Sequence, residues 1–203
     1  MFIVFEGIDG AGKTTQIGLL ADALRAMGYD PYITAEPTGM ETGRAIRRVL
    51  AGEVPKTPTQ VAAMFVQDRI DHNVDPTEGI EAMLAAGKAV ICDRYYYSSL
   101  AYQGSVLGFE RVAALNLDNE KIKTPDICVF LDLSPEKSLE RIGKRGEATE
   151  IYENHEYLTK TRAMFFDVFE KLRARGENIA VIDASLSVEE VAENVLFEVL
   201  KIF

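Results

Sequence analysis

The residues Gly7-Ile8-Asp9-Gly10-Ala11-Gly12-Lys13-Thr14 fit the pattern G-x-x-x-x-G-K-[ST] throughout. Glycines at these spacings let a backbone wrap an anion without Cβ clashes. Successive N–H groups then point inward, and the helix that follows adds positive potential at its N-terminus. The chemistry is the cradling of a nucleotide's phosphates. Lys13 is expected to reach the β- and γ-phosphates, and the Thr14 hydroxyl to ligate Mg²⁺. Gly7 to Thr15 is therefore the expected ATP-binding stretch. Asp9 is unusual in such a loop, since a carboxylate beside phosphates is unfavourable unless it faces a metal ion or a sugar hydroxyl; a solvated loop acid is the plainer alternative.

A cradle alone serves kinases, motors, switches and transport ATPases alike. Other residues suggest a second site. Asp93-Arg94-Tyr95 follows an apolar run, at the strand end where open α/β sheets bind ligands. An acid there can hold Mg²⁺ or accept a proton, and the adjacent arginine can hold a phosphate. Phe65 and Arg69 are spaced i,i+4 on a helical pattern, which suits a nucleobase and its phosphate; a core ring beside a solvated arginine is the plainer alternative. Ser99 and Gln103 have the same spacing if the chain is helical after Tyr95, and an amide carries the donor and acceptor needed to read a base edge. Arg141, Lys144 and Arg145 run into Gly146, a cationic stretch suited either to a lid over ATP, about residues 141–154, or to a solvated helix end.

The elements that must position these groups alternate. Strands are expected over 2–5, 32–35, 89–93, 127–133 and 179–182, four of them near-continuous apolar runs of the kind covered on both faces. Helices are expected from Lys13 to near Gly28, over 43–50, from Thr57-Pro58 to near His72, over 76–86, after Ser134-Pro135, over 156–175, and from Ser187 with Glu190 completing a capping box. The alternation predicts an α/β fold in three layers, a five-stranded parallel sheet with helices on both faces. With the cradle this is the P-loop NTPase fold with a lid, and the 203 residues read as one domain.

A net charge of -10 argues against nucleic acid or an anionic membrane as partner. No apolar run approaches the ~20 residues of a membrane span. The start of the chain is too short for a signal peptide before the cradle begins, so a cytoplasmic location is expected. Cys92 and Cys128 lie in apolar runs without zinc spacing and read as core thiols. His72 and His155 are expected at the surface.

Taken together, the chain resembles the thymidylate kinases, nucleoside monophosphate kinases that make dTDP from dTMP. The matching pieces are 5–15, Glu36-Pro37, Met64-Phe65 with Arg69, Asp93-Arg94-Tyr95, 98–104 and 130–136, in family order along nearly the whole chain. The resemblance implies that Phe65 stacks on thymine, that Arg69 holds the base or the monophosphate, and that Ser99 and Gln103 bond the base. It implies that Arg94 and Arg47 bind the acceptor phosphate, that Tyr102 packs on the sugar, that Asp9 meets the 3′-hydroxyl, and that Glu36 and Pro37 belong to the same substrate site. Lys13, Arg94, Asp93, Arg145 and Arg141 form the implied catalytic set, Thr14 and Asp93 the metal set, and a homodimer the implied assembly. Three positions depart from the family pattern. Ala35 stands where an arginine often precedes Glu36-Pro37. Glu150 stands where the lid arginine that accompanies Gly10 would align, leaving Arg141, Lys144 or Arg145 to supply that cation. Tyr152-Glu153-Asn154 resembles the lid end of the other subclass. Another nucleotide or deoxynucleoside kinase is the rival enzyme; a switch that hydrolyses ATP without forming dTDP is the rival of a different kind.

Overall fold

Five short strands make one all-parallel sheet: β1 (Phe2–Glu6), β2 (Pro31–Ala35), β3 (Ala89–Asp93), β4 (Ile127–Asp132) and β5 (Ile179–Asp183). This computed structural model describes residues 1–145 and 155–202, the side chains of Lys144 and Arg145 excepted. The strand order is β2-β3-β1-β4-β5, with β1 in the centre. The register sets Phe5 beside Asp93 and Glu6 beside Phe130, so the cradle and the Asp93-Arg94 turn leave the sheet side by side.

Alternation along β1 sorts the two cores. Phe2 and Val4 join Cys92, Tyr95, Phe130, Phe165 and Phe169 on one face, while Ile3 and Phe5 join Ile17, Leu20, Leu24, Val191 and Val195 on the other. Each such buried side chain contributes roughly 2 kcal/mol by removing apolar surface from water. Glu6 continues the first parity, which sends a carboxylate into the layer beneath Tyr95.

The second face is covered by α1 (Lys13–Ala26) and, near the end of the chain, by α10 (Val188–Leu200). Between β2 and β3 lie α2 (Glu41–Leu50), α3 (Pro58–Val74) and α4 (Ile80–Ala85). After β3 come α5 (Tyr96–Tyr102), α6 (Gly104–Leu107) and α7 (Phe109–Leu117). The last pair, α8 (Pro135–Arg145) and α9 (His155–Arg173), stands on either side of 146–154. The expected lid at 141–154, including Glu150 and Tyr152-Glu153-Asn154, thus falls mostly outside the described residues. Arg141 lies within them.

The α/β expectation with five parallel strands is met, the capping box at Ser187–Glu190 is formed, and the Thr57 cap forms a second box with Gln60. Some boundaries differ. The helix expected from Pro76 begins at Ile80, because the Asp75 carboxylate accepts the Thr77 and Glu78 N–H groups and holds a turn instead. β2 is an edge strand, and Ile33 is correspondingly exposed. His72 is not at the surface: it is 2% exposed, wedged between Glu36 and Thr34. His155 is exposed as expected, against Glu136.

Candidate active site

The loop from Gly7 to Gly12 is shaped by what presses on it. Gly10 has φ +76°, and a Cβ there would meet the Ser138 carbonyl oxygen of α8 at 2.9 Å. The Ser138 hydroxyl donates to the Asp9 carbonyl at 2.6 Å, fastening α8 to the loop. The Lys13 ammonium lies inside the loop it opens, donating to the Gly7 carbonyl at 3.2 Å. Burial, helped by the nearby Arg94 charge, pushes Lys13 down to about 8; Asp93, Asp9 and Glu6 pull the other way.

Arg94 is the hub. Among the described residues it is the single non-glycine with positive φ, at +66°, a conformation costing about 1–2 kcal/mol. That turn aims the guanidinium back over the cradle. Its Nη2 donates to Asp9 at 2.5 Å, its Nη1 donates to the Ser98 hydroxyl at 3.2 Å, and Glu6 lies 4.0 Å away. Tyr102 on α5 presents its ring 5.9 Å from the guanidinium carbon. Burial opposes the Arg94 charge, but Tyr102, Asp9, Glu6 and Asp93 more than offset it, and its pKa is raised. In return, although burial pushes Asp9 upward, Arg94 and Lys13 hold its carboxyl below the ordinary range.

Glu6 is a site residue that the sequence reading missed. It is fully buried and accepts the N–H groups of Tyr95 and Ser98, each at 3.0 Å, and the Ser98 hydroxyl at 2.7 Å. It ties the end of β1 to the start of α5 beneath Arg94. Burial nevertheless leaves its pKa raised. A charge ending an apolar strand directly before a cradle was the available signal.

A second group gathers around Arg69, which is 1% exposed. Its Nε donates to Glu36 at 2.8 Å, its Nη2 to the Ser99 hydroxyl at 3.3 Å, and its Nη1 to Asn116 of α7. The Tyr95 ring lies 5.1 Å beneath it. Glu36 also faces His72 at 3.1 Å. So Glu36, Arg69 and Ser99 meet one another, with Asn116 and His72 as further partners that the sequence did not point to. Arg69 is enclosed among these groups, whereas the Asp9 carboxylate is bonded by Arg94. Half-buried Phe65 lies one turn earlier on α3.

Gln103, at the junction of α5 and α6, has a buried Oε1 with no hydrogen-bond partner among the described residues. Asp93 Oδ1 is in the same condition at the end of β3. Thr14, exposed at the start of α1, leaves its hydroxyl accessible. Tyr102 stacks on Tyr157 of α9, with centroids 6.4 Å apart and planes at 27°, and meets Phe165 edge-on. Arg47 on α2 donates through Nη1 to the Thr38 carbonyl at 2.6 Å and through Nη2 to the Pro37 carbonyl. Arg141 approaches Gly12 and donates to the Ala184 carbonyl at 2.9 Å. For Arg145 only the backbone, ending α8, is described.

The cradle leaves the central strand, and the buried Arg69–Glu36–Ser99 group lies apart from it. The family model for thymidylate kinase matches residues 5–195. The chain belongs to the thymidylate kinase family. It is therefore a kinase, a phosphotransferase that binds nucleotides. It is 39% identical to a probable thymidylate kinase of Methanococcus aeolicus, over 96% of this chain and 93% of that one. It is 36% identical to a probable thymidylate kinase of Archaeoglobus fulgidus, over 96% and 92%. It is likewise 36% identical to a thymidylate kinase of Desulfotalea psychrophila, over 97% and 93%. Among the described residues no helix is long and apolar enough to cross a membrane.

Proposed function

We propose that this chain transfers the γ-phosphoryl group of ATP in line to the monophosphate oxygen of dTMP, giving dTDP for dTTP synthesis, through the groups that meet around Arg94. The observation that carries this reading is Arg94 itself, whose left-handed backbone sets its guanidinium between the cradle and α5. The acceptor is already anionic near neutral pH, so no strong general base is needed. Catalysis reduces to alignment and charge neutralisation.

Lys13 and the backbone from Gly7 to Thr15 hold the β- and γ-phosphates. Arg94 and Arg47 hold the acceptor phosphate, and Arg141 or Arg145 supplies further positive charge from α8. Asp9, held anionic by Arg94 and Lys13, accepts the 3′-hydroxyl. Tyr102 covers the sugar. Phe65 stacks on thymine, while Ser99, Gln103 and Arg69 bond its edge, with Glu36 and Pro37 shaping the floor. The unpaired Gln103 Oε1 supports this assignment, because a buried acceptor without a partner costs about 1–3 kcal/mol that a base N–H would recover.

Thr14 and the unpaired Asp93 carboxylate oxygen fit Mg²⁺, which takes one or two protein oxygens and completes its shell with water and phosphate. When bound, Mg²⁺ neutralises charge on the phosphate oxygens. The homodimer and cytoplasmic location expected of the family complete the proposal.

Two outcomes are expected. Gln103→Ala raises KM for dTMP about tenfold or more and leaves KM for ATP within about twofold; equal effects on both would remove Gln103 from the acceptor site. The second concerns pH. Lys13 in the free protein loses its proton near pH 8, below its ordinary 10.5. Its attraction for ATP is therefore full below that pH and declines above it. Log kcat/KM for ATP should fall with a slope approaching -1 above about pH 8, while kcat at saturating ATP holds to higher pH, because bound phosphates retain the proton. A flat kcat/KM from pH 7.5 to 9.5 would contradict the assigned role.

A further inference from the structure

Asp68 is 1% exposed, yet among the described residues no cation pairs with it. A buried carboxylate is costly unless hydrogen bonds replace its water. Among the described residues its hydrogen bonds all come from one short stretch of chain. Its Oδ2 accepts the Thr38 N–H at 2.8 Å, and its Oδ1 accepts the hydroxyls of Thr38 at 2.6 Å and Thr42 at 2.7 Å. The other end of the Thr38 residue faces α2. Its carbonyl accepts Arg47 Nη1 at 2.6 Å. Gly43, one turn before Arg47, touches the same carbonyl so closely that a Cβ would lie 2.0 Å from it. Thr38 is thus clamped between a carboxylate on its N–H side and a guanidinium on its C=O side.

Asp68 and Arg69 are consecutive on α3 and point to different partners. Arg69 serves the Glu36–Ser99 group, while Asp68 serves the loop on which Arg47 leans. Arg47 is otherwise exposed and has a long, flexible stem. With its Nη1 donating to the Thr38 carbonyl and its Nη2 to the Pro37 carbonyl, the guanidinium is already ordered, which lowers the entropy lost when it meets an anion.

We infer that Asp68 is a positioning residue for the acceptor phosphate, acting through Thr38 to hold Arg47 in its binding orientation. This rests on the reading above that Arg47 binds the dTMP phosphate. Asp68 touches neither nucleotide in this account, so its effect must run through Arg47 and must vanish when Arg47 is gone.

That condition is a double-mutant cycle. Steady-state kinetics with dTMP and ATP would be measured for wild-type, Asp68→Ala, Arg47→Ala and the double variant, with melting temperatures as a folding check. Asp68→Asn, which keeps one oxygen for the threonine hydroxyls, stands in should Asp68→Ala not fold. The expected result is that Asp68→Ala raises KM for dTMP about tenfold and Arg47→Ala at least as much, while the double variant is no worse than Arg47→Ala. KM for ATP is unchanged in all. The proposal is overturned if the folded Asp68 variants bind dTMP normally while Arg47→Ala does not, or if the two effects multiply in the double variant. A normal KM for dTMP in Arg47→Ala would instead sink the acceptor-side reading, and this proposal with it.

Discussion

Replacing Lys13 by methionine should lower kcat about 10³-fold and leave the melting temperature unchanged or higher. The two halves have one cause. Lys13 is 9% exposed, and its depressed pKa of about 8 measures the cost of keeping its charge inside the protein. The folded form sheds this proton more readily than the unfolded chain does. The cost is therefore fully present below about pH 8, and it shrinks as pH rises from there toward 10.5. At pH 7 it is on the order of a few kcal/mol. Methionine keeps most of the stem's volume and removes that cost. It also removes the donor proposed to reach the transferring group, and a preorganised donor of this kind is worth about 10²–10³ in rate. A folded Lys13→Met protein with near-normal kcat would mean that the cradle does not do the chemistry assigned to it.

The second large effect is at Arg94. Arg94→Lys keeps a charge but loses the planar fork that reaches Asp9 and Ser98 together. It should lower kcat/KM for dTMP about 100-fold, with a much smaller change for ATP. Arg94→Ala should cost about another tenfold and should also destabilise the protein, since Glu6 would stay buried without its nearest cation. Arg94→Gly separates the two costs. It removes the same charge but relieves the left-handed strain, so it should melt higher than Arg94→Ala by a few degrees while being equally inactive. If Arg94→Gly retained substantial activity, the guanidinium would have no part in phosphoryl transfer.

The cradle and the sheet were legible because their signals are local. A strand, a glycine-rich turn and an amphipathic helix sit within 26 residues, and the apolar runs that form β1, β3 and β4 are uninterrupted. The environment of the second site was not legible, because its partners are far apart in sequence. Asp68 and Thr38 are separated by 30 residues, Arg69 and Asn116 by 47, and Glu6 and Ser98 by 92. No periodicity connects such pairs. His72 shows the same gap: a polar residue at a helix end reads as solvated, and only the approach of Glu36 and Thr34 makes it a core residue. The short helices α6 and α7 were missed because Gly104 and Gly108 break the pattern that would have announced them.

The cradle is the more general of the two features. Alone it says that a triphosphate binds. Asp9 turned onto Arg94, with Ser99 on α5 and Gln103 at its end, supports the proposed acceptor beside it. The most direct test is a coupled ADP-release assay with ATP across dTMP, dUMP, dCMP, dAMP, TMP and thymidine, with the products resolved chromatographically. The account predicts that dTMP gives the highest kcat/KM and that each ADP released is matched by one dTDP. ADP release without dTDP, or another acceptor turned over faster than dTMP, would contradict it.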